Sequence, residues 1–243
     1  MRKKYLLFFA LFLCVACDSG DIEEHVASSA NKGRIVKLTA TLSGVAAWES
    51  GFAVSLAGFT AGDNYAQVVR TLPVTTPDNT EVELVLSNLD AEINTAELAI
   101  TNRLRERIIT LASINLDDYP ETSDTIRMDV GSINVAPFSS LQRGLFNVAC
   151  IQCHGGNGRS AAGLTLTEGQ AYEQLVDAPS TRIEGMMRVA GGDAQASLLS
   201  QILNEGGEAI LHYNHTEVLS SQFKENQEGL RSLIDEWING IRD

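Results

Sequence analysis

The segment CIQCHGG, from Cys150 to Gly156, decides how the C-terminal half of this chain is interpreted. Two cysteines separated by two residues and followed at once by a histidine form the pattern C-x-x-C-H, the attachment signature of a covalently bound haem. The same cysteine pair also occurs in redox dithiols and as one half of a zinc site. The choice among the three depends on the compartment of the protein and on further ligands along the chain.

The first 16 residues predict export. Three basic residues at positions 2 to 4 precede an apolar run from Leu6 to Ala16, and a small residue stands directly before Cys17. This is the arrangement of a secretory signal peptide, and the run is too short for a membrane-spanning helix.

The end of the signal, Val15-Ala16-Cys17, resembles the lipobox of bacterial lipoproteins. That pattern usually has leucine three residues before the cysteine, where this chain has Cys14. The resemblance implies that Cys17 becomes the first mature residue and carries the lipid, whereas the large Leu13 argues against Cys14. We therefore expect a protein of the bacterial cell envelope that is lipid-anchored to a membrane, facing the periplasm or the cell surface. An ordinary signal peptide with an incidental cysteine is the alternative.

The four cysteines are all accounted for by this interpretation. Cys14 leaves with the signal and Cys17 takes the lipid, so Cys150 and Cys153 remain. An exported compartment is oxidising, and a free neighbouring pair would be expected to oxidise there unless it were occupied. Covalent haem occupies both sulfurs as thioethers.

The charge of the chain excludes nucleic acid as a partner. Loss of the signal takes the formal net charge from −13 to about −16, and no basic patch is visible in the sequence. Such a surface repels nucleic acid. It would steer the protein toward basic partners, although acidity also serves solubility.

The N-terminal half predicts a polar tether followed by a β-sandwich. Residues 17–33 are small and polar without a period, and residues 34–135 contain seven short runs rich in Val, Ile, Leu and Thr. This number of runs, with turn residues between them, is typical of an immunoglobulin-like sandwich. An alternative for the run from Asp90 to Leu98 is a helical turn.

The sandwich also offers an alternative function, in which the protein is an envelope binding or adhesion module.

The pattern changes after Pro137, and residues 136–243 predict helices. The stretch before Cys150 places Leu141, Leu145 and Val148 on one helical face, and the last 15 residues carry an apolar stripe at helical spacing. Two amphipathic helices thus bracket a glycine-rich middle.

This region resembles a class I mono-haem cytochrome c domain, in the divergent form found attached to other modules in exported bacterial proteins. The matching stretches are CHGG with Phe146 ahead of it, AAGLTL at 161–166, GGDAQASLL at 191–199 without the family's two prolines, and WINGI at 237–241. The resemblance implies an all-α domain with one covalent haem on Cys150 and Cys153. It also implies that His154 is the proximal iron ligand.

The distal iron ligand departs from the family pattern. Class I domains supply a methionine before the last helix, but no methionine follows Met187 here, and Met186 and Met187 precede the GGD motif. The corresponding loop contains His212 and His215 instead. The sequence leaves three alternatives, which are one of these histidines, one of the two methionines, or an open site.

The expected function is one-electron transfer to and from a redox partner protein in the cell envelope, without an enzymatic substrate. The competing interpretation is a structural zinc site made of Cys150, Cys153, His212 and His215, which are ligands of suitable type. Zinc would leave the adjacent His154 without a role. A thioredoxin-like dithiol is disfavoured because no βαβ pattern surrounds the motif.

Overall fold

The computed structural model describes residues 33–48, 51–119 and 124–242. The expected signal peptide, the expected lipidation site Cys17 and all of the tether except its last residue lie outside the described residues.

Seven strands form two sheets in the first part of the described chain. They are β1 (Arg34–Ser43), β2 (Phe52–Thr60), β3 (Val68–Thr71), β4 (Thr80–Leu89), β5 (Ile93–Asn102), β6 (Arg107–Asn115) and β7 (Thr125–Asn134). One sheet has the order β4-β1-β7 and the other has the order β3-β2-β5-β6. Pairing is antiparallel except between β1 and β7, which run parallel.

Alternation along β1 shows why these segments are strands. In RIVKLTATLS every second side chain, beginning with Arg34, is buried, and those between are half-exposed. A period of two places one set of side chains on the inner face of a sheet. Close to the end of β7, the indole of the buried Trp48 donates a hydrogen bond of 2.8 Å to the carbonyl of Val135. This bond fixes the point at which the chain leaves the sheets.

Short helices and a hairpin follow the strands. They are α1 (Pro137–Leu141), a π-helical segment (Gln142–Cys150), α2 (Ile151–His154), the two-residue strands β8 (Gly155–Gly156) and β9 (Arg159–Ser160), α3 (Ala171–Leu175), α4 (Leu198–Leu203), α5 (His215–Gln222) and α6 (Gln227–Asn239). Single 3₁₀ turns lie at Val45–Ala47, Leu116–Asp118, Ala161–Gly163 and Gly207–Ala209. Within the described residues, no helix has both the length and the apolar character needed to cross a bilayer.

The helices and the sheets share one hydrophobic core. A single cluster of buried side chains runs from Val36 in β1 to Ile238 in α6. The π-helical segment and α6 both contact β6, and Gly229 of α6 lies so close to Ile108 that a Cβ at this position would overlap the isoleucine side chain. Burial against the sheet is what stabilises helices of this length, because isolated short helices are marginal in water.

The prediction of a separate all-α domain after the sandwich is therefore wrong. The described chain is mainly β-sheet, with three sheets and a few short helices, and the helices do not form a distinct domain. The physical reason is that α6 packs its apolar stripe against β6 and α1, within the core that the sheets also share. The boundaries predicted at residues 33/34 and 135/136 stay predictions.

Candidate functional site

The C-x-x-C-H motif lies at the end of a continuous helical run. Cys150 is the last residue of the π-helical segment, and Cys153 and His154 belong to α2. Cys150 packs against the core, Cys153 is exposed, and neither is in a disulfide. The spacing places the two thiols one turn apart at the same end of the helix. Departures from α-helical geometry of this kind are frequent at functional sites.

The two thiols differ in reactivity because they differ in burial. Burial, with a smaller contribution from the nearby Cys153, raises the pKa of the Cys150 thiol to about 12. The thiolate is the reactive form of cysteine, so the half-buried Cys150 is expected to react more slowly at neutral pH than the exposed Cys153. Cys153 is open to solvent at the end of the run.

A tight turn follows His154 and requires glycine. A Cβ at Gly155 would overlap the carbonyl oxygen of Ile151, one turn earlier in the helix. The chain then reverses through Asn157 and Gly158, which both have positive φ angles of 48° and 84°. Asn-Gly with two left-handed residues is the signature of a two-residue hairpin turn. The hairpin turns the chain back beside the motif.

The extended segment 164–166 holds His154 at two points. The Nδ1 atom of its ring lies 3.3 Å from the carbonyl oxygen of Leu164, and its own carbonyl accepts a 2.7 Å hydrogen bond from the N–H of Leu166. Burial lowers the pKa of His154, in opposition to the backbone bonds to Leu164 and Ala161. A neutral imidazole that donates from Nδ1 keeps its Nε2 lone pair free, which is the form in which histidine binds a metal.

Two glutamines hold this segment from behind. Gln142 is only 5% exposed, and its side-chain NH₂ donates to the carbonyl of Leu166 at 2.9 Å. The side-chain oxygen of Gln174 accepts from the N–H of Thr165 at 2.6 Å. The position of the His154 ring is therefore set by a small network and not by the helix end alone.

His215 is the first residue of α5, and this helix packs against the π-helical segment that ends at Cys150. Its Nδ1 atom lies 3.1 Å from the carbonyl oxygen of Tyr213, and the two rings meet edge to face with centroids 5.1 Å apart. Burial lowers the pKa of His215, and the neighbouring His154 lowers it further. The two imidazoles are thus within electrostatic reach of each other, and each is held through Nδ1 by a carbonyl.

The other predicted distal ligands are placed differently. His212 is exposed and has no hydrogen-bond partner among the described residues. Met187 is 40% exposed, and Met186 is half-buried against the core. The structure thus relates His215 to His154 more closely than it relates any of these three.

The zinc interpretation finds no support in the geometry. Over residues 33–48, 51–119 and 124–242, no three His, Cys, Asp or Glu side chains come together in a group that would hold a metal ion. Cys150, Cys153, His212 and His215 therefore do not form a tetrahedral set. A haem iron takes at most two axial ligands from the protein, so a pair of imidazoles is the arrangement relevant to that cofactor.

No family model, no curated protein and no solved structure matches this chain. Together with the mainly β fold and the absence of a three-ligand group among the described residues, this overturns the resemblance to a class I cytochrome c domain. The stretches that carried it are short, and they serve other structural purposes here. Residues 164–166 hold His154 from the side, and the WINGI stretch ends a helix that packs within the shared core.

Sequence reasoning missed the residues that position His154. A backbone carbonyl such as that of Leu164 has no sequence signature, and single glutamines at 142 and 174 belong to no motif. Only the fold brings these groups together.

Proposed function

We propose that this protein is an exported electron carrier with one covalent haem, attached through thioethers to Cys150 and Cys153, with His154 as an axial iron ligand. The observation that supports it is the His154 ring, which directly follows the cysteine pair and is oriented by the Leu164 carbonyl oxygen 3.3 Å from its Nδ1. The proposal rests on the motif and this local geometry and on no domain family. The haem supplies a one-electron ferric–ferrous couple.

The donor set of the chain fits this cofactor. Cys150 and Cys153 would hold the haem as thioethers, because addition of each S–H across one vinyl group needs no oxidant or reductant.

His215 is proposed as the second axial ligand. Its helix lies against the π-helical segment, and its Nδ1 is already occupied by the Tyr213 carbonyl. His154 and His215 then offer the same type of nitrogen to one iron. The exposed His212 has no comparable restraint.

The proposed role is electron transfer between proteins of the bacterial cell envelope. His154 and His215 would both bind the iron, which favours a carrier over an enzyme. The lipid on Cys17 would hold the protein at a membrane through the tether 17–33. The acidic chain, with a net charge of −13 before processing, favours a redox partner with a basic surface and no nucleic acid.

The axial ligands are tested by ultraviolet–visible and electron paramagnetic resonance spectra of the ferric protein, produced with a haem-ligation system. We expect a low-spin wild type, a high-spin His215→Ala variant and a low-spin His212→Ala variant. The two substitutions are matched in chemistry and lie three residues apart, so each controls for the other. A low-spin His215→Ala variant with a wild-type spectrum would reject His215 and make Met186 the next ligand to test.

A further inference from the structure

Arg188 is a half-buried cation whose position is fixed from several sides. Its backbone N–H donates to the carbonyl of Ala178 at 2.8 Å, and its carbonyl accepts from the N–H of Leu199 at 2.9 Å. The guanidinium Nη1 donates to the carbonyl of Gln174 at 2.8 Å. The charge is therefore held in place and does not swing freely in solvent.

Hydrogen bonds connect Arg188 to the surroundings of His154. Gln174, whose carbonyl binds the guanidinium, uses its side chain to hold the N–H of Thr165. Thr165 lies between the two residues that bond to the ring and to the carbonyl of His154. Arg188 is thus linked through Gln174 to the segment that holds the proposed iron ligand.

No carboxylate forms a salt bridge with Arg188 within the part of the chain that the structure describes, whereas Arg107 and Lys37 each pair with a glutamate at 2.8 Å. A half-buried charge is screened less by salt than an exposed one.

We infer that Arg188 raises the reduction potential of the iron bound by His154. The inference rests on the proposed function and assigns the regulation of that same site. Reduction lowers the charge of the iron centre by one unit, so a fixed positive charge behind the ligand favours the ferrous state. This effect opposes the two imidazoles, which favour ferric iron, and the negative charge of the chain as a whole.

The test is a spectroelectrochemical titration of the haem-loaded protein at fixed ionic strength. Arg188→Gln removes the charge and keeps a donor for the Gln174 carbonyl, and Arg188→Lys keeps the charge. Arg127→Gln removes the same charge from an exposed position on β7 and is the matched control. Arg188→Met, which keeps the aliphatic stem, is the second neutral variant should the glutamine variant not fold.

We expect the ferric-to-ferrous ratio at a given applied potential to rise on the order of tenfold in Arg188→Gln, which for one electron is a shift of about 59 mV to lower potential. Arg188→Lys should stay near the wild type and Arg127→Gln should shift far less. If haem is attached but Arg188→Gln and Arg127→Gln have equal reduction potentials, the inference is overturned while the proposed function stands. The same holds if Arg188→Gln and Arg188→Lys lower the potential equally. Wild-type protein without attached haem would overturn the proposed function and the inference with it.

Discussion

Replacing Gly155 by alanine should displace the helix end that carries His154. The φ angle of Gly155 is −87°, so the backbone conformation suits alanine, and the cost arises from space alone. The added Cβ overlaps the carbonyl oxygen of Ile151 and lies 3.6 Å from its Cβ, so the overlap is with backbone and a side chain cannot rotate away to relieve it. Either α2 unwinds or the hairpin after it moves.

The expected cost follows from the kind of clash. Overpacking by one methyl group costs about 1–3 kcal/mol. For a chain of this size each kcal/mol lowers the melting temperature by about 2–4 °C, so the melting temperature should fall by about 2–12 °C. Because the carbonyl of His154 is tied to Leu166 at 2.7 Å, movement of the helix end should also loosen the bond from its ring to Leu164.

The assay combines thermal unfolding, followed by circular dichroism, with the ferric spectrum of the haem-loaded protein. Gly158→Ala is the matched control, because Gly158 has a φ of 84° and a Cβ added there would meet no atom within 4 Å. Alanine there costs about 1–2 kcal/mol of backbone strain and leaves His154 in place. Gly155→Ala should change both stability and spectrum, and Gly158→Ala should change stability alone. A Gly155→Ala protein that melts with the wild type and has its spectrum would refute the reasoning.

Two further predictions concern the cysteines. Cys17→Ala should abolish labelling by a fatty-acid analogue in cells while Cys14→Ala should not, and labelling that persists without Cys17 would show that another residue carries the lipid. In protein made without haem ligation, iodoacetamide at neutral pH should modify the exposed Cys153 well before Cys150, since burial raises the pKa of the Cys150 thiol to about 12. Equal rates by peptide mass spectrometry would mean that Cys150 is not buried as described.

The sequence predicts which face of a strand or helix is buried, but it does not predict which element packs against that face. The alternation in Arg34–Ser43 is present in the structure as alternating burial, and the stripe in the last helix is buried at Leu230, Leu233 and Ile234. A stripe shows that one face of a helix is covered without showing what covers it. The prediction of a separate helical domain was wrong because it assumed that other helices cover α6, whereas α6 packs against β6 as well as against α1.

At the candidate site, too, the sequence shows some residues and not others. C-x-x-C-H is a local pattern and names its own residues, whereas the order of preference between His212 and His215 depends on burial and on the Tyr213 carbonyl. The spacing of the two histidines in the sequence predicts neither the burial nor this hydrogen bond. Short stretches such as GGDAQASLL resembled a known family because a few residues of common types can match by composition without sharing a fold.

The central claim is tested most directly by mass spectrometry of the denatured protein, purified after expression with a haem-ligation system. Trypsin should release Gly144–Arg159, the peptide that contains both Cys150 and Cys153. The proposed function predicts that this peptide carries the mass of one haem and that neither cysteine reacts with iodoacetamide. The same peptide without added mass, with both cysteines alkylated, would contradict it.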